Sequence, residues 1–291
     1  MINKIKKLTI VLLIVLTILK RPLVIASILN GINIWTNSTF PALFPFLMIS
    51  DLIISTDLIN YITDYIGIYF SKIFKMSKYS SYVFIMSLIS GCPSNAKYIK
   101  DLLDKDLINK EEAVKILSMS LLYNPIYILA LTTYLKFSDS VFIIVLNIFI
   151  NLIIGLINRN YKVSYNNNKK LIPEEYNITE SISKTIDTLL IVLGSLTTFI
   201  ALSSLLPISH PLLKGILEIT IGLTDIQFTE GYKYKLIFTG ILLAFGGLSI
   251  HTQIKSILKD KNLDYSLFYK SRIIHLILFL LLLYLKTIPT T

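Results

Sequence analysis

The chain has 291 residues, of which 54% are hydrophobic and only 16% are charged, and its formal net charge is +10. A soluble domain of this size carries roughly 25% charged residues. Long apolar stretches recur throughout, so the composition indicates a multi-pass membrane protein. A positive balance in such a protein indicates basic loops against anionic lipid and argues against nucleic-acid binding. The single cysteine, Cys92, excludes an internal disulfide and a cysteine-based zinc cluster.

The N-terminal stretch has some features of a signal peptide. Three lysines precede an apolar run from Leu8 to Leu19. Lys20, Arg21 and Pro22 follow directly, where a small-residue cleavage site would begin. We therefore predict that residues 1–22 form an uncleaved membrane span or anchor.

A first membrane repeat is predicted over residues 23–157. Its second apolar segment opens with Pro41 and Pro45, and Thr39 is the predicted helix cap before them. We predict a weak apolar segment at 23–36, a span at 40–56, and an interfacial helix with a basic loop at 57–79. An apolar run too short to cross follows at 79–90, and two further spans are predicted at 113–135 and 140–157.

A polar linker over residues 158–181 separates the halves, and a second membrane repeat follows over 182–291. The linker contains the low-complexity run from Tyr165 to Lys170. The second repeat is predicted to contain a long span at 182–206, short apolar segments at 211–224 and 235–245, and a last span at 273–285.

One short pattern occurs twice, at residues 91–103 and 246–258, an offset that matches the two repeats. Each copy follows an apolar run that is too short to cross, interrupts it with glycine, and supplies a serine predicted to cap the next helix. The interrupting residues are Gly91 and Pro93 in the first copy and Gly246 and Gly247 in the second. The matching pairs are Gly91 with Gly246, Ser94 with Ser249, Ile99 with Ile254, Lys100 with Lys255, and Leu103 with Leu258.

Two interruptions at corresponding positions are typical of a secondary transporter built from repeats. A helix broken inside a membrane exposes backbone groups that cost several kcal/mol each unless they are satisfied. We therefore predict an all-α polytopic membrane protein with two structural repeats in inverted orientation. Each repeat would contain a broken or re-entrant helix, and the two would meet near the membrane midplane. The alternative is that the glycines only allow helices to pack closely.

The predicted site lies between the two interruptions. Half-helix N-termini present free N–H groups and partial positive charge, which suits a small anion, especially one with two carboxylates. Lys97 and His251 add positive charge or donors close to the interruptions. The predicted substrate-binding residues are Ser94, Asn95, Lys97, Asn124, Glu218, Thr220, Ser249, His251 and Gln253.

Several of these residues have a structural alternative. Lys97 could reach lipid headgroups, His251 could be a packing residue, and Asn124 could satisfy carbonyl groups freed by Pro125. Glu218 stands among apolar residues, where a carboxylate is by default a functional-site residue. Its alternative partner is Lys214. Without that partner, Glu218 could carry a coupling proton.

The sequence contains no enzyme motif, so we predict that the protein is not an enzyme and has no catalytic residues. Its three histidines are scattered without metal-binding spacing, and there is no P-loop, dinucleotide fingerprint or nucleophile elbow. No metal and no cofactor are expected, and ATP-driven transport by this chain alone is disfavoured.

These motifs resemble the sporulation integral membrane proteins called YlbJ or SpoVV, within the wider nucleoside-recognition or gate group. The resemblance covers roughly residues 25–285. Cys92 and Asn95 depart from it, because the family has Tyr and Gly at these positions. The matching segments are Trp35, 40–46, 91–97, 111–113, 124–125, 215–222, 245–253 and 272–275.

The resemblance implies transport of dipicolinic acid, a compact dicarboxylate, from the mother cell across the outer forespore membrane. Lys97 and His251 would hold carboxylates, Ser94, Asn95, Ser249 and Gln253 would donate hydrogen bonds, and Glu218 would be a gate or proton carrier. The expected partners are the small anion and the lipid bilayer, with a second copy or other sporulation membrane proteins as protein partners. The alternatives are a non-transporting scaffold for spore assembly and a nucleoside or ion transporter.

Overall fold

The computed structural model describes residues 2–167 and 169–287, and these residues contain helices and no strand. The helices are α1 (Ile2–Leu19), α2 (Arg21–Ile34), α3 (Phe40–Ser55), α4 (Leu58–Tyr65), α5 (Gly67–Phe74), α6 (Tyr79–Ser90), α7 (Ser94–Asp104), α8 (Lys110–Met119), α9 (Pro125–Leu131), α10 (Phe137–Ile157), α11 (Ile178–Leu205), α12 (Pro211–Leu217), α13 (Ile219–Ile226), α14 (Tyr232–Phe245), α15 (Gly247–Ile257) and α16 (Ser266–Thr287).

Five helical segments are long and apolar enough to cross a membrane, which supports the predicted multi-pass membrane protein. They are Arg21–Ser55, Phe137–Asn160, Ile178–Leu205, Tyr232–Ile257 and Ser266–Lys286. The predicted N-terminal span corresponds to α1, which is exposed along most of its length and is not one of the five.

The predicted division between residues 23–36 and 40–56 is wrong, because α2 and α3 form one continuous helix. The π-helical segment Trp35–Thr39 joins them, and Thr39 has helical backbone angles and makes no capping hydrogen bond. Pro41 and Pro45 lie on this continuous helix. The last span is also longer than predicted, since α16 begins at Ser266, seven residues before the predicted start.

The first interruption is the tip of a helical hairpin. α6 and α7 fold back on each other, and Tyr98 at the base of α7 donates a hydrogen bond to Ser90 at the end of α6 (2.9 Å). Both open ends of the hairpin lie against the linker. The Lys78 backbone N–H donates to the Asn167 side chain, and Lys105 pairs with Glu174.

A second hairpin, α12–α13, opens toward the opposite face of the molecule. α11 crosses from the linker to Leu205, and α12 begins a few residues later. Lys214 and Asp225 form an ion pair between the arms of the hairpin, and Lys235 donates to the Gln227 carbonyl at its exit. The two hairpins therefore enter the helical bundle from opposite ends.

Both halves contain the same three elements in the same order. The first half has a hairpin (α6–α7), an interrupted helix (α8–α9) and a long helix (α10). The second half has a hairpin (α12–α13), an interrupted helix (α14–α15) and a long helix (α16). Gly91 thus lies at a hairpin tip, whereas Gly246 interrupts a 26-residue segment that runs on to Ile257. The predicted pairing of these two glycines joins different kinds of element, and the inverted relation of the halves stays a prediction.

Charged side chains hold the linker-side end of α8 against its neighbours. One Glu112 oxygen accepts hydrogen bonds from the Ser77 N–H (2.7 Å) and from the Ser77 and Ser80 hydroxyls (both 2.6 Å), at the start of α6. The Lys115 ammonium donates to the Lys75 and Arg159 carbonyls, at the ends of α5 and α10. These charges compensate helix ends rather than each other, as the helix dipole favours.

The α12–α13 hairpin depends on glycine, and this can be tested by substitution. A Cβ on Gly222 would lie 2.2 Å from the Cα of Gly215, whereas a Cβ on Gly194 of α11 would meet nothing within 4 Å. We expect Gly222→Ala to destabilise the protein by about 1–3 kcal/mol, because backbone must move. Gly194→Ala should be neutral or slightly stabilising. Apparent melting temperatures of the detergent-solubilised protein check this, and equal values for both variants would contradict it.

Basic residues concentrate on the face that carries the linker, which predicts the orientation in the membrane. We expect this linker face in the cytoplasm, because cytoplasmic loops carry an excess of Lys and Arg. Its basic residues include Lys72, Lys75, Lys78, Lys100, Lys105, Lys110, Lys115, Arg159, Lys162, Lys169, Lys170, Lys184, Lys255, Lys259 and Lys261, and those on the opposite face include Lys20, Arg21, Lys136, Lys214, Lys233, Lys235 and Lys286.

Single cysteines in a Cys92→Ala background test the orientation. On intact cells, a membrane-impermeant maleimide should label Glu230→Cys on the opposite face and leave Lys170→Cys on the linker face unlabelled. Both positions are exposed, so both should react after permeabilisation. The reverse pattern on intact cells would contradict the orientation.

Candidate functional site

Two interruptions of the first half bind each other through their backbones. The Cys92 N–H at the tip of the α6–α7 hairpin donates to the Leu122 carbonyl between α8 and α9 (2.7 Å). Gly91 has φ +84°, and a Cβ there would lie 2.6 Å from the Asn124 nitrogen, so the approach requires glycine. The predicted break at Gly91 and Pro93 is present, and the segment 120–124 is a second break facing it.

Two interruptions of the second half meet the same place. Glu218 separates α12 from α13, and Gly246 (φ +94°) separates α14 from α15, which begins at Gly247 (φ +70°). A Cβ on Gly247 would lie 3.3 Å from the Gly215 carbonyl oxygen and from the Ile219 nitrogen. The second hairpin therefore packs directly on the break at Gly246 and Gly247.

Contacts across the halves complete the arrangement. The Tyr127 hydroxyl of α9 hydrogen-bonds the Thr220 hydroxyl of α13 (3.2 Å). A Cβ on Gly246 would lie 3.2 Å from the Tyr123 hydroxyl. All four interruptions thus converge on one region. The sequence indicated only two of them, those at Gly91 and Gly246.

A pocket opens at this convergence. It contains about 650 Å³ of space between atoms, counting its open mouth, and its wall is mostly apolar. Of the nine predicted binding residues, Asn124, Glu218, Thr220 and Gln253 line it. The other lining residues are Thr39, Ala42, Leu43, Ser90, Gly91, Cys92, Pro93, Tyr123, Tyr127, Ile128, Leu131, Val192, Leu196, Ile219, Leu223 and Ile250.

Glu218 caps the α13 N-terminus inside the pocket wall. Its side chain is buried, and it accepts hydrogen bonds from the Ile221 N–H (3.1 Å) and the Thr220 hydroxyl (3.4 Å). Lys214 pairs with Asp225 (2.7 Å), so the alternative that Lys214 neutralises Glu218 is wrong. In the described part of the chain no cation pairs with Glu218, and a buried carboxyl of this kind inside a membrane protein is by default a functional-site residue.

Asn124 joins the two breaks of the first half. Its amide donates to the Ile89 carbonyl near the end of α6 (2.9 Å), and its oxygen accepts from the Ile126 and Tyr127 N–H groups at the start of α9. This structural role, one of the two left open by the sequence, is present. Because Asn124 also lines the pocket, both roles are compatible.

Lys97 is held by carboxylates of the protein itself. Its ammonium is buried and pairs with Asp51 of α3 and with Asp101 of α7 (2.6 Å). Burial alone would lower its pKa, but the two carboxylates together raise it. Asp51 also accepts from the Ser181 hydroxyl (2.7 Å), so the group ties α7 to α3 and α11. Lys97 does not line the pocket. Its predicted contact with substrate and its alternative contact with lipid headgroups both stay predictions.

Ser94 and Asn95 lie buried behind the hairpin tip. Ser94 is the first residue of α7 and provides no capping hydrogen bond, so that prediction is wrong. The cap position is occupied by Pro93, which leaves the serine inside the helix. The Asn95 amide donates to the Ser120 hydroxyl (3.3 Å), so it links α7 to the break at 120–124.

The second predicted cap is also wrong, because Ser249 is the third residue of α15 and makes no cap contact. It packs against α11, where the Ser195 hydroxyl donates to its carbonyl (3.0 Å). Gln253 donates to the Ser249 hydroxyl (3.1 Å) and is the residue of this helix that lines the pocket with Ile250.

His251 is packed within an aromatic cluster. Its ring lies 4.9 Å from that of Phe245, 5.3 Å from Phe268 and 5.7 Å from Tyr269. Its Nε2 contacts the Phe245 carbonyl (2.8 Å), a backbone group freed by the break at Gly246. The packing alternative for His251 is therefore present, and its contact with substrate stays a prediction.

The sequence analysis missed three residues that shape this region. Tyr123 and Tyr127 line the pocket beside Asn124, and the Asn-Pro pair was the available signal for a break there. The predicted last span, 273–285, left out Arg272, but this residue lies within α16 and is buried. In the described part of the chain, no group of three or more His, Cys, Asp or Glu side chains could hold a metal ion.

Comparison with known proteins gives one distant relative. The chain is similar to the sporulation integral membrane protein YlbJ of Bacillus subtilis (strain 168), with 23% identity over 297 aligned positions, which cover 84% of this chain and 73% of that protein. This confirms the predicted resemblance at the level of a distant similarity. The placement in the wider nucleoside-recognition group stays a prediction.

No family model and no solved structure matches the chain.

Proposed function

We propose that this protein is a sporulation-associated membrane transporter that binds a small solute in the pocket at the four helix interruptions. The observation that carries the proposal is the convergence of interruptions from both halves on one pocket with a buried, unpaired carboxyl. Secondary transporters place their substrate and coupling-ion sites where interrupted helices of two repeats meet.

The opposite entry of the two hairpins supports an inverted repeat. Each half offers a hairpin, an interrupted helix and a long helix, and the hairpins open to opposite faces. In such an arrangement the substrate site is reached from one face past the first hairpin and from the other face past the second. Alternating access then requires movement of one repeat relative to the other around a fixed site.

Dipicolinic acid is the substrate we propose. The relative named above is a sporulation protein, and the family resemblance of the sequence implies movement of this acid from the mother cell across the outer forespore membrane. The pocket offers an apolar wall for the pyridine ring. Asn124, Thr220 and Gln253 also line it and would offer hydrogen-bonding groups to the carboxyl oxygens.

Glu218 is the proposed proton carrier. It is buried in the pocket wall, and in the described part of the chain no cation pairs with it, so it would bind and release a proton during a transport cycle. A protonated Glu218 also removes the repulsion that an anionic substrate would meet. Substrate and proton would therefore bind together and move in the same direction.

Uptake of labelled dipicolinate into proteoliposomes tests the proposal. We expect uptake by wild type above empty liposomes, driven by an inward proton gradient. Glu218→Gln should abolish the response to the gradient. Gln253→Leu should lower uptake about tenfold, because a hydrogen bond to a charged group is worth about 1.5–3 kcal/mol. Lys170→Ala, at an exposed linker position, is the matched control and should transport like wild type.

Melting temperatures with added ligand provide a second readout that does not require transport. Dipicolinate should raise the melting temperature of wild type, since a ligand that binds only the folded state stabilises it. Stabilisation by uridine instead would favour a nucleoside transporter. No uptake and no stabilisation by either compound would favour the non-transporting scaffold and would overturn the proposal.

A further inference from the structure

Arg272 is a fully buried cation without a counter-ion. Its side chain is 2% exposed, and its guanidinium donates to the Ser118 carbonyl (2.8 Å) and the Asn151 side-chain oxygen (3.0 Å) and contacts His275 Nδ1 (3.2 Å). These partners are all neutral. Across residues 2–167 and 169–287, no carboxylate pairs with it, whereas the buried Lys97 has two carboxylate partners, Asp51 and Asp101.

The contacts of Arg272 compensate its charge only in part. Ser118 belongs to the last turn of α8, whose carbonyls carry partial negative charge. The Arg272 Nε has no hydrogen-bond partner, and the ring of Phe268 lies 5.7 Å from the guanidinium carbon. A buried charge costs several kcal/mol unless it is paired, and residues of this kind inside membrane proteins usually serve a function.

Arg272 stands directly behind the pocket wall. Asn151, which accepts from Arg272, donates to the Leu121 carbonyl (3.1 Å) in the break between α8 and α9. The next carbonyl, that of Leu122, accepts from the Cys92 N–H at the hairpin tip. Cys92 and Tyr123, the residue that follows Leu122, both line the pocket, so this chain of hydrogen bonds leads from the guanidinium to the pocket wall.

We infer that Arg272 determines the charge of the substrate: its uncompensated positive charge makes the pocket selective for a small organic anion. This inference rests on the proposed function. The guanidinium does not need to touch the anion, because in a water-poor interior the attraction between charges several ångströms apart is weakly screened. Arg272 is thus a specificity-determining residue, and the pocket residues Asn124, Thr220 and Gln253 orient the anion.

A purely structural role for Arg272 is the competing explanation, since it also joins α8, α10 and α16. Two ligands of the same shape separate the two roles: dipicolinate, a dianion, and pyridine-2,6-dicarboxamide, its neutral diamide. Their binding to detergent-solubilised protein is measured for wild type, Arg272→Gln and Arg272→Lys. Lys270→Gln removes an exposed positive charge from the same helix and is the matched control.

Wild type and Lys270→Gln should prefer dipicolinate over the diamide. In Arg272→Gln this preference should fall by about tenfold or more, as for other buried interfacial charges, with diamide binding nearly unchanged. Arg272→Lys should keep part of the preference. Equal losses for both ligands in Arg272→Gln, or an unchanged preference, would overturn the inference while leaving the proposed function intact. If wild type binds neither ligand, the proposed function itself fails.

Asn151→Asp keeps the measurement decisive if Arg272→Gln does not fold. It places a carboxylate beside the guanidinium and neutralises its charge with little change of shape. The preference for dipicolinate should then fall as in Arg272→Gln. An unchanged preference in a folded Asn151→Asp protein would overturn the inference.

Discussion

The structure depends on satisfying the backbone groups that four interrupted helices expose. Inside a membrane these N–H and C=O groups find no water, and each unsatisfied group costs several kcal/mol. Here the breaks satisfy one another, as between Cys92 and Leu122, or are satisfied by side chains. Asn124 and Glu218 cap half-helix N-termini, and His251 binds a carbonyl left free at the end of α14. The pocket exists because the breaks must cluster to be compensated.

Charged residues follow the same rule. Glu112, Lys115 and Arg272 are buried, and each binds the end of a helix and not an opposite charge. Two buried lysines in the described part of the chain pair with carboxylates. Lys97 binds Asp51 and Asp101 and joins the first hairpin to α3 and α11, and Lys78 binds Asp64. Buried charge therefore occurs in two settings, at helix ends and in ion pairs at the first hairpin.

The sequence predicted the class of protein and part of the site. Apolar segment lengths, Gly91, Gly246 and the Asn124-Pro125 pair indicated an interrupted helical membrane protein, and four of the nine predicted residues line the pocket. The prediction that Gly91 corresponds to Gly246 was based on five matching residues. In the structure Gly91 lies at a hairpin tip and Gly246 interrupts a span, because a local sequence match does not show whether the chain then reverses or continues. Lys97 could not be placed from sequence, since Asp51 lies far away in the chain and reaches it only through the fold.

The Arg272 misplacement has a similar cause. A basic residue near Lys270 looks like part of a polar loop, and nothing local shows that α16 begins at Ser266 and turns Arg272 inward. Likewise, two prolines at positions 41 and 45 suggested a helix start. The π-helical segment before them accommodates the change in backbone hydrogen bonding, so the helix continues.

The continuous segment Arg21–Ser55 has a consequence for the shape of the protein in the bilayer. Its 35 residues would extend about 52 Å at 1.5 Å per residue, whereas the hydrocarbon core is about 30 Å thick. The helix must therefore tilt strongly or project well beyond the lipid. Asp51 lies near its linker-side end, where it pairs with Lys97. A projecting end would place that ion pair at or above the headgroups. Water, salt and headgroup charge could then reach the ion pair that holds the first hairpin against α3.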